Sequence, residues 1–264
     1  MAGTRAVAGP RRAPLGDPIV ELLLRLGDDR LILGHRLSEV TGHGPILEED
    51  IATANMALDL IGQASSMLRL AGETEAKGRD EDALAYFRDA VHFRNCLLVE
   101  QPNGDFGQLM VRQFLFDAYS VLLLDELSRA THAGISAIAV KALKEAKYHL
   151  RHSSEWVVRL GDGTEESHAR AQRALDALWR FTGELFVADE VDAAAAAKGA
   201  KMDLAGIQTR WNAMVDEVLT RATLTRPADA AMQRGGRSGR HTEHLGHLLA
   251  TMQIVARSHP GATW

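Results

Sequence analysis

This 264-residue chain carries few covalent or aromatic means of holding itself together. It has one cysteine, Cys96, so no intrachain disulfide can form, which suits a reducing compartment. Aromatic residues are only 5% of the chain, and no stretch alternates apolar and polar residues long enough to suggest a sheet. No apolar run approaches the ~20 residues that a membrane-spanning helix needs. An excess of basic charge is also missing: the formal net charge is −5 with histidine neutral, which argues against a nucleic-acid partner. Residues 1–16 contain Arg5, Arg11 and Arg12 but no apolar signal core. They are expected to be a disordered leader, and the protein to be cytoplasmic.

What the chain does contain is apolar residues, 46% of the total and dominated by Leu and Ala, enough for a large helical core. Punctuation by Gly, Pro and capping residues divides it into helices. Asp17-Pro18 is an N-cap with proline at the first helical position, opening a helix to about residue 40. A second helix runs from about 46 to 72, with Glu48, Glu49 and Asp50 at its positive end. A third is expected over about 82–99, a long apolar fourth over 106–129, and a fifth over 135–160. Thr164 caps a sixth that reaches Phe186, and two more are expected over 203–222 and 242–257. Short turns join helices one and two, and helices four and five, so each pair is antiparallel. About thirty residues separate the pairs. Two hairpins with one long crossover is the ferritin-like four-helix connection. The expected architecture is all-α: one domain from 17 to 264, with a bundle core over about 17–160 and extra C-terminal helices over about 164–258.

Each bundle helix carries one acidic residue expected at mid-helix: Glu39, Asp59, Asp117 and Glu145. A carboxylate-bridged dimetal site takes one ligand group per helix, with an imidazole one turn beyond the carboxylate on two of them. Here Gly62 stands three residues after Asp59, and Tyr148 three after Glu145. Long helices carry acids for solubility too, but the apolar surroundings of Asp59 and Asp117 predict burial and a need for partners. Lys141, four residues before Glu145, is a candidate to replace the positive charge of a metal; its bland alternative is a solvated surface lysine. Two isolated acid-x-x-His matches, Asp89 to His92 and Glu165 to His168, lie outside the hairpins and do not form a symmetric pair.

The C-terminal part holds a Gly/Arg-rich loop, Arg234-Gly-Gly-Arg237-Ser-Gly-Arg240, feeding His241-Thr-Glu243-His244-Leu-Gly-His247. Backbone amides and Arg234, Arg237 and Arg240 could hold an anion such as the phosphates of coenzyme A, or contact a partner together with His241, Glu243 and His244. A plain surface loop and packing histidines are the alternative. The loop lacks the Gly-Lys-Ser/Thr ending of a nucleotide P-loop.

Several segments carry a family resemblance. They are Leu26-Gly-Asp-Asp29, Leu33-Gly-His-Arg36, Asn55 through Gln63, and Leu97-Leu-Val-Glu-Gln-Pro-Asn-Gly104. Lys144-Glu-Ala-Lys-Tyr-His-Leu150, Leu178-Trp-Arg-Phe-Thr182 and Gly239-Arg-His-Thr-Glu-His-Leu-Gly246 continue it. From about Leu22 to Trp264 the chain resembles the C subunits of bacterial ring-1,2-phenylacetyl-CoA epoxidases. The resemblance implies a ferritin-like subunit without catalytic residues, metal or cofactor of its own. It would pair with a homologous A subunit that holds the di-iron centre. A reductase would supply electrons, and the complex would epoxidise the aromatic ring with O₂ and NADPH. Two other readings stay open: an active di-iron monooxygenase with a degenerate ligand set that uses His149, and a CoA-ester binding module.

Overall fold

The computed structural model describes residues 16–262. Apart from Gly16, the expected leader lies outside these residues. Ten α-helices and no strand occur among them: α1 (Pro18–Ser38), α2 (Leu47–Glu75), α3 (Glu81–Tyr86), α4 (Phe106–Leu127), α5 (Ala133–Gly161), α6 (Glu165–Trp179), α7 (Glu190–Ala197), α8 (Leu204–Arg221), α9 (Glu243–Met252) and α10 (Ile254–Ser258).

The punctuation works as its chemistry requires. The Asp17 carboxylate accepts from the Ile19 amide at 2.8 Å, and Pro18 opens α1. Asp105 accepts from the Gln108 amide at 2.9 Å to start α4. Thr164 and Ser167 form a reciprocal capping box at the start of α6. α1 packs along α2, and α4 along α5; α2 and α5 bring the two hairpins together along a thinner seam. α6 and α8 pack on α4 and α5, while α7 and α9 lie on α1. The outer layer is anchored by aromatics: Trp179 and Trp211 are buried with ring centroids 5.6 Å apart. The indole of Trp211 donates to the Leu115 carbonyl of α4 at 3.1 Å, satisfying its one polar atom inside the core.

Several expected elements differ. The third helix does not run from 82 to 99. It ends at Tyr86, passes through a 3-10 turn at Ala90–His92, and continues as irregular chain to α4. The cause is side-chain competition for the backbone. Asp28 accepts from the Arg94 amide at 2.8 Å, Asp29 from the Cys96 amide at 2.7 Å, and Glu184 from the Leu97 amide at 2.9 Å. Those N–H groups are therefore satisfied without a helix. The sixth helix stops at Trp179, and a 3-10 turn at Gly183–Phe186 follows. α2 continues past Gly72 to Glu75, and the last helix is split into α9 and α10. The alanine-rich α7 was not expected; Asp189 and Asp192 form its capping box.

Candidate functional site

The centre of the bundle holds a layer of polar side chains contributed by all four of its helices. From α1 comes Arg30, fully buried. Its Nε donates to Gln63 Oε1 of α2 at 2.9 Å, Nη1 to the Leu26 carbonyl at 3.0 Å, and Nη2 to Ser120 Oγ of α4 at 3.2 Å. Gln63 passes the contact on, its Nε2 donating to Glu145 Oε2 of α5 at 2.8 Å. One turn further along α5, His149 Nε2 lies 3.0 Å from Asp59 Oδ2 of α2. Burial lowers the pKa of His149, outweighing the upward pull of Asp59, so the imidazole is neutral at pH 7.

Asp117 of α4 is only 1% exposed. Gln113 Nε2 reaches its Oδ1 at 2.8 Å, and Ser153 Oγ of α5 lies 2.8 Å from its Oδ2. Burial pushes its carboxyl up to about 8, against the lowering effect of these two contacts. Ser153 Oγ also lies 3.0 Å from the His149 carbonyl, so its one proton is shared between two acceptors. Burial outweighs both donors and favours the neutral acid at pH 7.

The four expected carboxylates do not form one cluster. Glu39 is not at mid-helix: it is the C-cap of α1, ion-paired with Arg36 at 3.0 Å and hydrogen-bonded by Asn103. Asp59 is partly open to solvent, contrary to the burial expected of it, whereas Asp117 is buried. Glu145 contacts Gln63 rather than another acid. Lys141 is exposed and has no ion pair among the described residues. The buried cation of this layer is Arg30 instead. Gly62 is exposed on α2 with open space beside it. Tyr148 is 44% exposed on the outer side of α5, stacked on His152 with centroids 6.2 Å apart. The inward register of α5 is 145, 149, 153, a spacing of four, so position 148 points away from the layer.

Asp59, Gly62, Gln63, Lys141 and Glu145 share the lining of a cleft of about 330 Å³ between α2 and α5. Among the described residues no three His, Cys, Asp or Glu side chains converge as a metal site would need. With a guanidinium at its centre and its carboxylates dispersed, the layer does not fit a dimetal centre.

The Gly/Arg loop is engaged internally. Arg237 pairs with the fully buried Asp29 at 2.7 Å, and its Nη1 also donates to the Arg94 carbonyl at 2.8 Å. Burial works against its charge, but Asp29 outweighs this and holds the guanidinium well above its ordinary pKa. His241 Nδ1 lies 2.9 Å from Glu100, which also receives the Thr242 amide and hydroxyl. Arg237 and His241 are therefore removed from the expected anion or partner contact. Arg234, Arg240 and Glu243 remain exposed, and the His244 carbonyl accepts from Arg36 at 3.0 Å. The neighbouring glycines permit this docking: a Cβ on Gly236 would stand 2.0 Å from the Asn95 carbonyl, and Gly239 has φ +76° with a Cβ position 2.2 Å from the Val91 carbonyl.

Arg30, Gln113, Ser120 and Ser153 were not anticipated as members of the layer. Arg30 had a signal: it follows Asp28 and Asp29 inside an apolar helix, the same feature that drew attention to Asp117.

Two antiparallel hairpins, a long irregular crossover and a residual polar layer across the bundle define a ferritin-like helical protein. The chain belongs to the phenylacetic acid catabolic protein family, whose model matches residues 13–264. It is 48% identical over 241 residues, covering 91% of this chain and 97% of the relative, to the C subunit of the 1,2-phenylacetyl-CoA epoxidase of Escherichia coli (strain K12). Among the described residues no helix is long and apolar enough to cross a membrane.

Proposed function

We propose that this chain is a cytoplasmic structural subunit of an oxygen- and NADPH-dependent phenylacetyl-CoA 1,2-epoxidase, without catalytic residues, metal or cofactor of its own. It pairs with and stabilises a homologous A subunit that carries the di-iron centre, in a complex completed by a reductase. The observation that carries this reading is Arg30. A permanently charged guanidinium, bonded to Gln63 and through it to Glu145, occupies the bundle centre. A second set of cations beside it would meet direct repulsion, and the helices are already cross-linked without metal. Asp117, kept protonated by burial, is a poor metal ligand at neutral pH.

The test is purification of this chain alone and co-expressed with the A subunit, followed by native mass spectrometry and iron analysis. The expected result is a stable heteromer whose iron follows the A subunit. Stoichiometric iron in the chain alone, with oxygen-dependent turnover, would overturn the reading in favour of a degenerate monooxygenase.

A further inference from the structure

The exposed cations of this protein fall into two groups. Some are balanced locally, such as Arg129 by Asp125 at 2.8 Å and Arg170 by Glu166 at 2.5 Å, whereas others, such as Arg173 on α6 and Arg221 on α8, stand singly without an ion pair among the described residues. The outward side of α5 gathers four unpaired cations on one helix. Lys141, Lys144, Lys147 and Arg151 are all exposed there, and none has an ion pair among the described residues. At 100° per residue, positions 144 and 151 lie within about 20° of each other, with 141 and 147 flanking them. The chain as a whole is acidic, so this stripe is a local reversal of its sign.

Beside it, α2 shows an uncharged stripe. Leu47 is 70% exposed, Ile51 51% and Leu58 67%, and Gly62 follows on the same side about 22 Å from Leu47. The cleft of about 330 Å³ lies between the two stripes and offers a socket for a side chain from outside. An apolar ridge, a socket and an unpaired basic row side by side have the anatomy of a protein interface.

We propose that this α2–α5 face docks the A subunit, whose contacting surface is an apolar helix flanked by acidic residues that meet the α5 stripe. The inference rests on the pairing reading above and adds the face and the charge of its complement. The charge pattern selects the occupant. A second copy across a two-fold axis would set the basic row against itself, and such like-charge contact is costly. The exposed leucines and isoleucine favour protein over nucleic acid.

The test uses the full chain and the separately purified A subunit, with affinity measured by calorimetry at about 50 and about 300 mM salt. The wild-type pair is expected to weaken as salt rises. The variant K144E/R151E, whose changes break no ion pair, is expected to bind about 100-fold more weakly. Leu58→Asp weakens binding too, with circular dichroism and melting temperature near wild type. The control R173E/R221E, on α6 and α8, keeps wild-type affinity. If the α5 reversal leaves the affinity unchanged while the two subunits still pair, the proposed face is wrong and the pairing stands. If wild-type subunits do not associate, the pairing reading itself fails. Loss of self-association in the reversal variant, with A-subunit binding intact, assigns the face to a second copy and overturns the proposal.

Discussion

Arg30 in the bundle centre and Arg237 in the C-terminal loop are both largely buried guanidiniums, but they face different partners. Arg30 meets an amide oxygen, a hydroxyl and a carbonyl; Arg237 meets both oxygens of Asp29. Arg30 hydrogen-bonds no carboxylate: Glu145 is reached through Gln63, and Asp29 acts on it through space. Around Arg237 lies a set of buried acids with their own donors: Asp28 with Arg88 and the Arg94 amide, Glu100 with His241 and Thr242, and Glu184 with the Leu97 and Gly235 amides. The first system cross-links regular helices and is diluted with neutral groups. The second holds irregular chain and is densely ionic. Removing one member of an ionic pair strands a buried charge, whereas removing a guanidinium from neutral acceptors strands only polar atoms.

That difference sets the order of expected effects. The largest belongs to Asp29→Ala, which leaves Arg237 and the Cys96 amide unpaired; urea unfolding should show a loss of about 3–5 kcal/mol. Arg30→Met should cost less, about 1–2 kcal/mol, because the lost hydrogen bonds are offset by relief of the burial that already lowers its pKa. Equal losses for the two variants would erase the distinction between the two systems.

A pH series sharpens the bundle side further. Asp117 is raised to about 8 in the folded state from 3.8, so the native state holds a proton that the unfolded state releases. Its stabilising contribution is complete below about 4 and is lost as pH rises through 8, with a limiting slope of about 1.4 kcal/mol per pH unit. His149 has a lowered pKa, so its contribution is present above 6.5 and is lost as pH falls through its folded value. Of these two groups, only Asp117 changes its contribution between pH 7 and 8. Asp117→Asn, which mimics the protonated acid, should flatten urea-derived stability across that interval; an unchanged slope would refute the assignment. The smallest effect is expected outside both systems: Thr164→Ala removes the α6 cap and should cost about 1 kcal/mol by thermal melting.

The legibility of the sequence follows the same division. Helices bounded by caps and glycines were readable because their signals are local: Asp17-Pro18 for α1, Thr164 for α6. Burial of Asp117 was readable from Phe114-Leu-Phe-Asp-Ala-Tyr119. The failure at residues 82–99 was not local. Composition there favours helix, but Asp28, Asp29 and Glu184 take its amides from far along the chain, and no window of neighbours reports that. Tyr148 and Glu39 were misplaced because a spacing of three was assumed on α5 and a longer helix on α1. The Gly/Arg loop looked like an anion cradle because its true counter-charge, Asp29, lies 208 residues away.

That separation also has a consequence in time. During synthesis α1, which carries Asp28 and Asp29, is made well before the guanidiniums that pair with them. Arg88 follows Asp28 by 60 residues, and Arg237 follows Asp29 only after 208. Asp28 is then already paired by Arg88, but until Arg237 is made the hairpin of α1 and α2 can collapse only by burying Asp29 without a counter-charge or by leaving that end loose. The final docking of residues 235–241 is therefore the step that turns a partly ordered nascent chain into a closed subunit.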